Sequence, residues 1–411
     1  AAWDSRSANY LHQGVAEGVM RRVDRVLSSA LGESIPGVHG GRLRAVYWAV
    51  DGVVSGGRLG ITSIGRSARS ASSLKHAIKR ADRLVGNERL FRDHRLFFAQ
   101  LAKAIVGDEP RVVVLVDWTK VGLDHYALAA AVPHDGRAVP IYFEVHPTKT
   151  HGTPAVEEAF LDGLACVLPN GCRPILVTDG GFRGDWILAA KERGMDYVAR
   201  MQNNPQVLVG SNECWSTVQH LTRSATSEAT DLGECLAVKT RRIGTRIVRG
   251  PKYKPSGRPR RKTPLSGSQT KARKAAKQAW LLATSLDNSA SAVVGVYALR
   301  MQIEEVFRDA KSHRFGLALR YARASSITRY SNLLLLAILA VFALVVAGRI
   351  TERHQLHLGF QANTTRRRRV LSLAYAARIL LRSSHHHRVN SRSIRRELRR
   401  LRAKARAGVP N

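Results

Sequence analysis

The sequence predicts an α/β chain: a mixed sheet flanked by helices, interrupted by a β-rich insertion, with a helical region before it and another after it. Three observations carry this expectation. Short β-branched apolar runs, two of them ending in an acid, alternate with helical spacing between residues 107 and 200. From about 201 to 286 that alternation gives way to short apolar runs around a long basic stretch. Helical periodicity dominates up to residue 106 and resumes at 287.

The chain has 411 residues, room for two or three domains at roughly 150 residues each. Its 66 Lys and Arg against 31 Asp and Glu give a net charge of +35. An imbalance of that size repels itself, and a polyanion is the natural partner. It argues against ordinary metabolic enzymes. Four cysteines, none in a CxxC pair, argue for a reducing, cytoplasmic compartment and against disulfides or structural zinc. The first 30 residues carry no apolar signal-like run.

Residues 1–106 read as a helical DNA-binding domain. Lys75, Lys79 and Arg83 recur at i, i+4 and i+8, which stacks three cations on one helical face. The solvated-face reading of that stripe is the plain one, and the charge of the whole chain tips it towards DNA. Residues 107–200 read as the first part of the core. Arg111–Asp117 is a buried strand, Tyr126–Val132 and Val139–Val145 follow around a Pro-His-Asp-Gly turn, and Pro174–Asp179 is a second buried strand. Helices are expected at Ala155–Leu168 and Asp185–Arg193, and one more strand at Met195–Arg200. Residues 201–286 form the basic insertion. Fifteen Lys and Arg lie between Lys239 and Lys277 with no acid among them, Arg258, Arg260 and Arg261 included. Residues 287–350 return to the core as a helix over Ser289–His313 and an apolar run, Leu333–Ala347. Fifteen apolar residues are short of the roughly 20 that span a bilayer, so a buried helix and no membrane contact is expected. Residues 351–411 form a basic helical end, with eight Lys and Arg against Glu397 alone in Ser391–Ala407.

Three acids stand out. Asp117 and Asp179 each close a strongly apolar strand, so their carboxylates should emerge at sheet ends, where hard oxygen ligands suit Mg²⁺ or Mn²⁺. Singly, each is as readily a turn or helix cap. The third sits in YALRMQIEEVFRDAK, residues 297–311. At 100° per residue Tyr297, Arg300, Glu304 and Lys311 fall within one 60° wedge of a continuous helix, apart from the apolar face of Leu299, Ile303, Val306 and Ala310.

The spacing Tyr-x2-Arg-x3-Glu-x6-Lys, with VLVDWT around Asp117 and VTDGGFRG around Asp179, resembles the signature of the IS4-type DDE transposases, the family of the Tn5 and Tn10 enzymes. The resemblance runs over roughly residues 60–350. It implies a ribonuclease-H-like core in which Asp117, Asp179 and Glu304 hold two divalent ions, Mg²⁺ with Mn²⁺ as a substitute. It further implies that Tyr297, Arg300 and Lys311 grip the phosphate near the cut. The activity implied is cleavage at transposon terminal inverted repeats and joining of the 3′-OH ends to target DNA, through a hairpin intermediate, in a homodimeric synaptic complex on double-stranded DNA. Trp280, which opens the run WLLATS 17 residues before Tyr297, is then a candidate to stack on a base flipped out at the hairpin. Core packing is the plainer role for that tryptophan. Two other readings keep the same acids: a ribonuclease-H-like nuclease without strand transfer, and a transposase descendant that binds DNA without cutting it.

Overall fold

The computed structural model describes residues 23–202, 205–210, 214–252, 278–311, 317–319, 324, 326–361, 365, 367–383 and 387–410. Arg258, Arg260 and Arg261 lie outside the described residues.

Ten strands form one mixed sheet. They are β1 Arg111–Lys120, β2 His125–His134, β3 Arg137–Pro147, β4 Arg173–Thr178, β5 Asp196–Met201, β6 Gln206–Val209, β7 Ser216–Thr217, β8 Thr230–Ala237, β9 Ile243–Arg249 and β10 Leu281–Thr284. Their order is β3-β2-β1-β4-β5-β10-β9-β8-β6-β7. The first three run antiparallel as a meander, because the turn at Asp135-Gly136 puts both residues at positive φ. The next two run parallel to β1, because each arrives through a helix: Pro154–Val167 before β4 and Gly184–Glu192 before β5. The α/β class and its mixed, helix-flanked sheet are as the sequence predicts. Among the described residues the strands of the insertion form no sheet of their own. β10 pairs antiparallel with β5, and β9, β8, β6 and β7 extend the same sheet outwards.

Strands β1, β4 and β5 are buried on both faces, as their unbroken apolar runs require. Val112, Val114, Val116 and Leu176 face the larger core, which also takes in Phe160, Leu161 and Leu164 of helix Pro154–Val167. Val113, Leu115, Ile175, Val177 and Val198 face the other way, onto Val293, Val296, Tyr297, Ile303 and Val306. Those last five lie on two helices, Ala290–Ala298 and Met301–Lys311, and this corrects the single helix expected over 289–313. The chain breaks at Leu299-Arg300 with i to i+3 bonds, Arg300 N–H to Tyr297 C=O at 3.0 Å and Ile303 N–H to Arg300 C=O at 3.2 Å. Burial explains the break. On one straight helix Tyr297 and Val306, nine residues apart, would point in opposite directions, about 180° apart. Both are buried here, at 2% and 4% exposure, so the helix must turn for both to face the sheet.

The apolar run lies in a helix much longer than the run itself, Ile327–Arg353. By length and composition it could cross a membrane, and 89% of its most apolar stretch is buried inside the fold. One polar residue sets its position. Asn332, fully buried, donates to the carbonyls of Val85 (2.9 Å) and Asn87 (3.1 Å), and its side-chain oxygen stands 2.8 Å from His94 Nε2. Burial lowers that histidine to about 4, so it stays neutral. The helices Leu74–Val85 and Glu88–Val106 are thereby locked to the long helix.

Asp51, buried in the helix Gly40–Gly56, tests the N-terminal packing. Burial, with Asp24 adding and Arg69 opposing, pushes its carboxyl up to about 7 from an ordinary value of 3.8. The folded state therefore holds a proton that the unfolded state releases near pH 4. Stability attributable to Asp51 is complete below that point, falls as pH rises towards 7, and is level above it. Urea denaturation of wild type and Asp51→Asn between pH 5 and 8 should diverge by a few kcal/mol at most, with the variant relatively more stable at the alkaline end.

Candidate active site

Period-two alternation puts Asp117 on the same face as Val113 and Leu115, and Asp179 on the face of Ile175 and Val177. Leu115 lies opposite Val177 in the parallel pair β1–β4, so both acids stand two residues further on: Asp179 just past β4, and Asp117 not at the end of its strand, as the sequence suggests, but inside β1, which pairs on with β2 to Lys120. Their backbones are about 5 Å apart by strand spacing. Two like charges held so close disfavour ionisation. Burial first, then the charge of Asp179, push the Asp117 carboxyl up to about 7; Glu304 adds to the rise, and Arg300 and the Trp118 backbone N–H oppose it.

Asp179 is shaped by the two glycines that follow it. Its Oδ1 accepts from the Gly181 N–H at 2.8 Å, a tight side-chain turn. A Cβ on Gly180 would lie 2.3 Å from the Cβ of Gln202 just past β5, so only glycine fits there.

Glu304 lies in the first turn of helix Met301–Lys311, where the helix dipole favours an anion, and its side chain is 44% exposed. Arg300, at the break, is largely buried and bridges two of the acids. Its guanidinium hydrogen-bonds Glu304 Oε1 through Nη2, and its Nη1 lies 3.7 Å from Asp117 Oδ2. Glu305 is committed elsewhere, 3.0 Å from Arg137 on β3 and also bridged to Arg308. Lys311, at the far end of the helix, donates to Thr119 Oγ1 at 2.6 Å, two residues along β1 from Asp117. The structure thus brings Asp117, Asp179, Glu304, Arg300 and Lys311 to one end of the sheet. Tyr297 does not share their open wedge. It is buried beneath them, its ring meeting that of Trp280 edge-on with centroids 4.7 Å apart. Burial raises its hydroxyl, against the pull of Arg300 and Arg200. Trp280 itself is half-buried immediately before β10, against the same core.

Lys75, Lys79 and Arg83 are exposed on helix Leu74–Val85, opposite its buried Ala77, Ala81 and Leu84. That helix stands near the same end of the sheet. Asp82 bridges to Arg329, and next to it the Tyr330 hydroxyl would lie 2.5 Å from a Cβ on Gly122, just past β1. Three residues of the site escape sequence reasoning: Thr119, Trp118 and Glu157. Glu157, on the far side of the sheet, is buried and accepts from Trp118 Nε1 at 3.1 Å, and burial pushes its carboxyl up to about 7. Its partner is 39 residues away, a separation no local pattern reveals.

The donors suit a hard divalent cation in kind: three carboxylates, two of them forced together at a cost that a cation would relieve. Among the described residues no three acids yet stand close enough to hold an ion.

Residues 108–340, more than half of the chain, match a family described as the transposase DDE domain. Among solved structures, one similar to this chain is a cryo-EM structure of a piggyBac transposase synaptic complex with hairpin DNA. The likeness has 14% identity, covers 96% of this chain and 83% of that one, and gives a TM-score of 0.41. No curated protein matches.

The Arg300 bridge has a measurable consequence. Arg300→Gln removes a cation lying against two acids, so Mn²⁺ should bind the DNA-free protein about tenfold more tightly, ~1.4 kcal/mol. Titration calorimetry without DNA measures this, and unchanged affinity would mean that the bridge does not oppose the ion.

Proposed function

The chain belongs to the transposase DDE domain family, and from that premise we propose that it is the transposase of a bacterial insertion sequence of the IS4 type, which cuts transposon ends and joins them to target DNA. The observation that carries the reading is the convergence of Asp117, Asp179 and the Arg300–Glu304 pair at one sheet end, with Lys311 beside them.

Asp117, Asp179 and Glu304 are the groups that would hold Mg²⁺ or Mn²⁺; when bound, such ions supply Lewis-acid activation and neutralise charge at the scissile phosphate. The chain's own cations do the rest. Once DNA arrives, the Arg300 guanidinium exchanges its carboxylates for the non-bridging oxygens of a phosphate, a bidentate match that lysine could not make. Lys311, anchored on Thr119, supplies a point charge on the other side. Tyr297 works from beneath, holding the break that aims Arg300 and Glu304. In-line attack by water frees a 3′-OH, and that hydroxyl then attacks the opposite strand to close a hairpin. The part of the Trp280 indole that stays exposed beside Tyr297 supports a role at the hairpin. The reading implies a cytoplasmic protein acting on nucleoid DNA as a homodimer, because two ends must be joined together.

Asp117→Ala, Asp179→Ala and Glu304→Ala should each abolish cleavage of end-bearing DNA with Mn²⁺ and keep gel-shift binding. More than a few per cent residual cutting in any one of them removes that residue from the ligand set. Cleavage by none of the proteins, wild type included, would leave a DNA binder without chemistry. Trp280→Ala should spare the first nick and block hairpin formation, with partial rescue by an abasic nucleotide beside the cut. Joint loss of nicking, hairpin formation and thermal stability would instead make Trp280 a core residue.

A further inference from the structure

The ladder between β1 and β4 ends two residues short of the acids. Its last pair is Leu115 with Val177; beyond it β1 continues with β2 and β4 with β5, where Thr178 lies opposite Ala199. Asp117 and Asp179 are therefore neighbours by register, and no backbone pair joins them to fix how far apart their carboxylates stand. A site for two divalent ions about 3.5–4 Å apart needs its ligands held to within about 0.5 Å. Repulsion between like charges works against that. The side chains able to hold the gap lie on the reverse face of the sheet.

Trp118 follows Asp117 and, by the alternation of a strand, points to the opposite face. There its indole meets the His146 and His151 rings edge-on, with centroids 5.7 and 4.9 Å away, and its Nε1 donates to Glu157 Oε1 at 3.1 Å. Glu157 is 4% exposed in the first turn of helix Pro154–Val167, which packs on helix Gly184–Glu192 just after Asp179. Burial raises its carboxyl to about 7; the Trp118 bond and Arg183 oppose the rise, and Asp185 and Asp179 add to it. Glu157 thus stands within charge range of the second acid while bonded to the residue that follows the first. The Asp117–Trp118 peptide also presents the Trp118 N–H to the Asp117 carboxyl, so a turn of that peptide moves the acid and its donor together. We propose that Glu157 is the positioning residue of the acid pair: by holding the Trp118 indole it fixes the Asp117–Trp118 peptide, and with it the direction of the Asp117 carboxylate relative to Asp179. This rests on the transposase reading of the acids and adds to it a residue on the other face of the sheet. Outer partners of this kind are worth nearly as much to a metal site as the ligands themselves.

Mn²⁺ binding to the DNA-free protein, measured by titration calorimetry, reads the placement of the acids without any cleavage. Glu157→Leu removes the acceptor and leaves an apolar side chain in a buried place, and it should weaken Mn²⁺ binding by about 10- to 100-fold. Trp118→Phe removes the donor and should weaken it to a similar extent. The double variant should lose no more than either single one, because both break the same bond. Glu157→Gln still offers the indole an oxygen and should restore Mn²⁺ binding. Gel shift without divalent ions should be alike in all four, and their melting temperatures report whether each is folded; if Glu157→Leu unfolds, Trp118→Phe reads the same bond. Unchanged Mn²⁺ affinity in the folded acceptor and donor variants overturns the proposal. So does a Glu157→Gln variant as weak as Glu157→Leu, since charge and not the bond would then be at work. If the affinities follow the expected order while wild type cuts no end-bearing DNA, the positioning role stands and the transposase reading fails. If wild type cuts and every variant cuts and binds Mn²⁺ equally well, the transposase reading stands and the positioning role alone falls.

Discussion

Two carboxylates fixed side by side where the parallel strands β1 and β4 part repel one another, and the rest of the molecule is arranged so that they cannot move apart. Parallel pairing of β1 with β4 sets their register. Apolar packing on both faces of those strands prevents the ends from fraying. Burial above all, with the charge of Asp179 adding to it, pushes the Asp117 carboxyl up to about 7. A site in that condition attracts cations, and Arg300 is the one the chain itself supplies.

Arg300 lies against two of the three acids. A guanidinium within reach of both Asp117 and Glu304 neutralises what a divalent ion would neutralise, so the two compete for the same oxygens. A DNA phosphate offers Arg300 an equivalent partner. Metal and DNA should therefore favour one another's binding, since each releases a group that the other needs. The break at Leu299-Arg300 makes the exchange feasible. It leaves Arg300 at a helix junction, with Tyr297 fixed in the core on one side and Glu304 in the first turn on the other.

The frame around the site depends on the long helix Ile327–Arg353. Its uniform apolar surface would pack equally well in several positions, and polar contacts select one. Asn332 fixes it to the N-terminal helices, and Arg353 with the buried Glu397 fixes it to the C-terminal helix. The helices Leu74–Val85, Glu88–Val106 and Ser391–Ala407 are thus held to the long helix that packs on the sheet.

Much of this was legible in the sequence. The strands around Asp117 and Asp179, the helices between them and the buried apolar helix follow from local periodicity, which depends only on neighbouring residues. The spacing of Tyr297, Arg300, Glu304 and Lys311 pointed to the site for the same reason. Sequence periodicity assumes a straight helix, however, and it placed Tyr297 on the open wedge. Burial of Tyr297 and Val306 on one sheet face is a tertiary demand, and it broke the helix and sent the tyrosine inwards. The merging of the insertion into a ten-stranded sheet, the bond from Glu157 to Trp118 and the pairing of Lys311 with Thr119 were likewise decided in three dimensions. Each joins residues tens to nearly two hundred positions apart, and periodicity carries no information at that range.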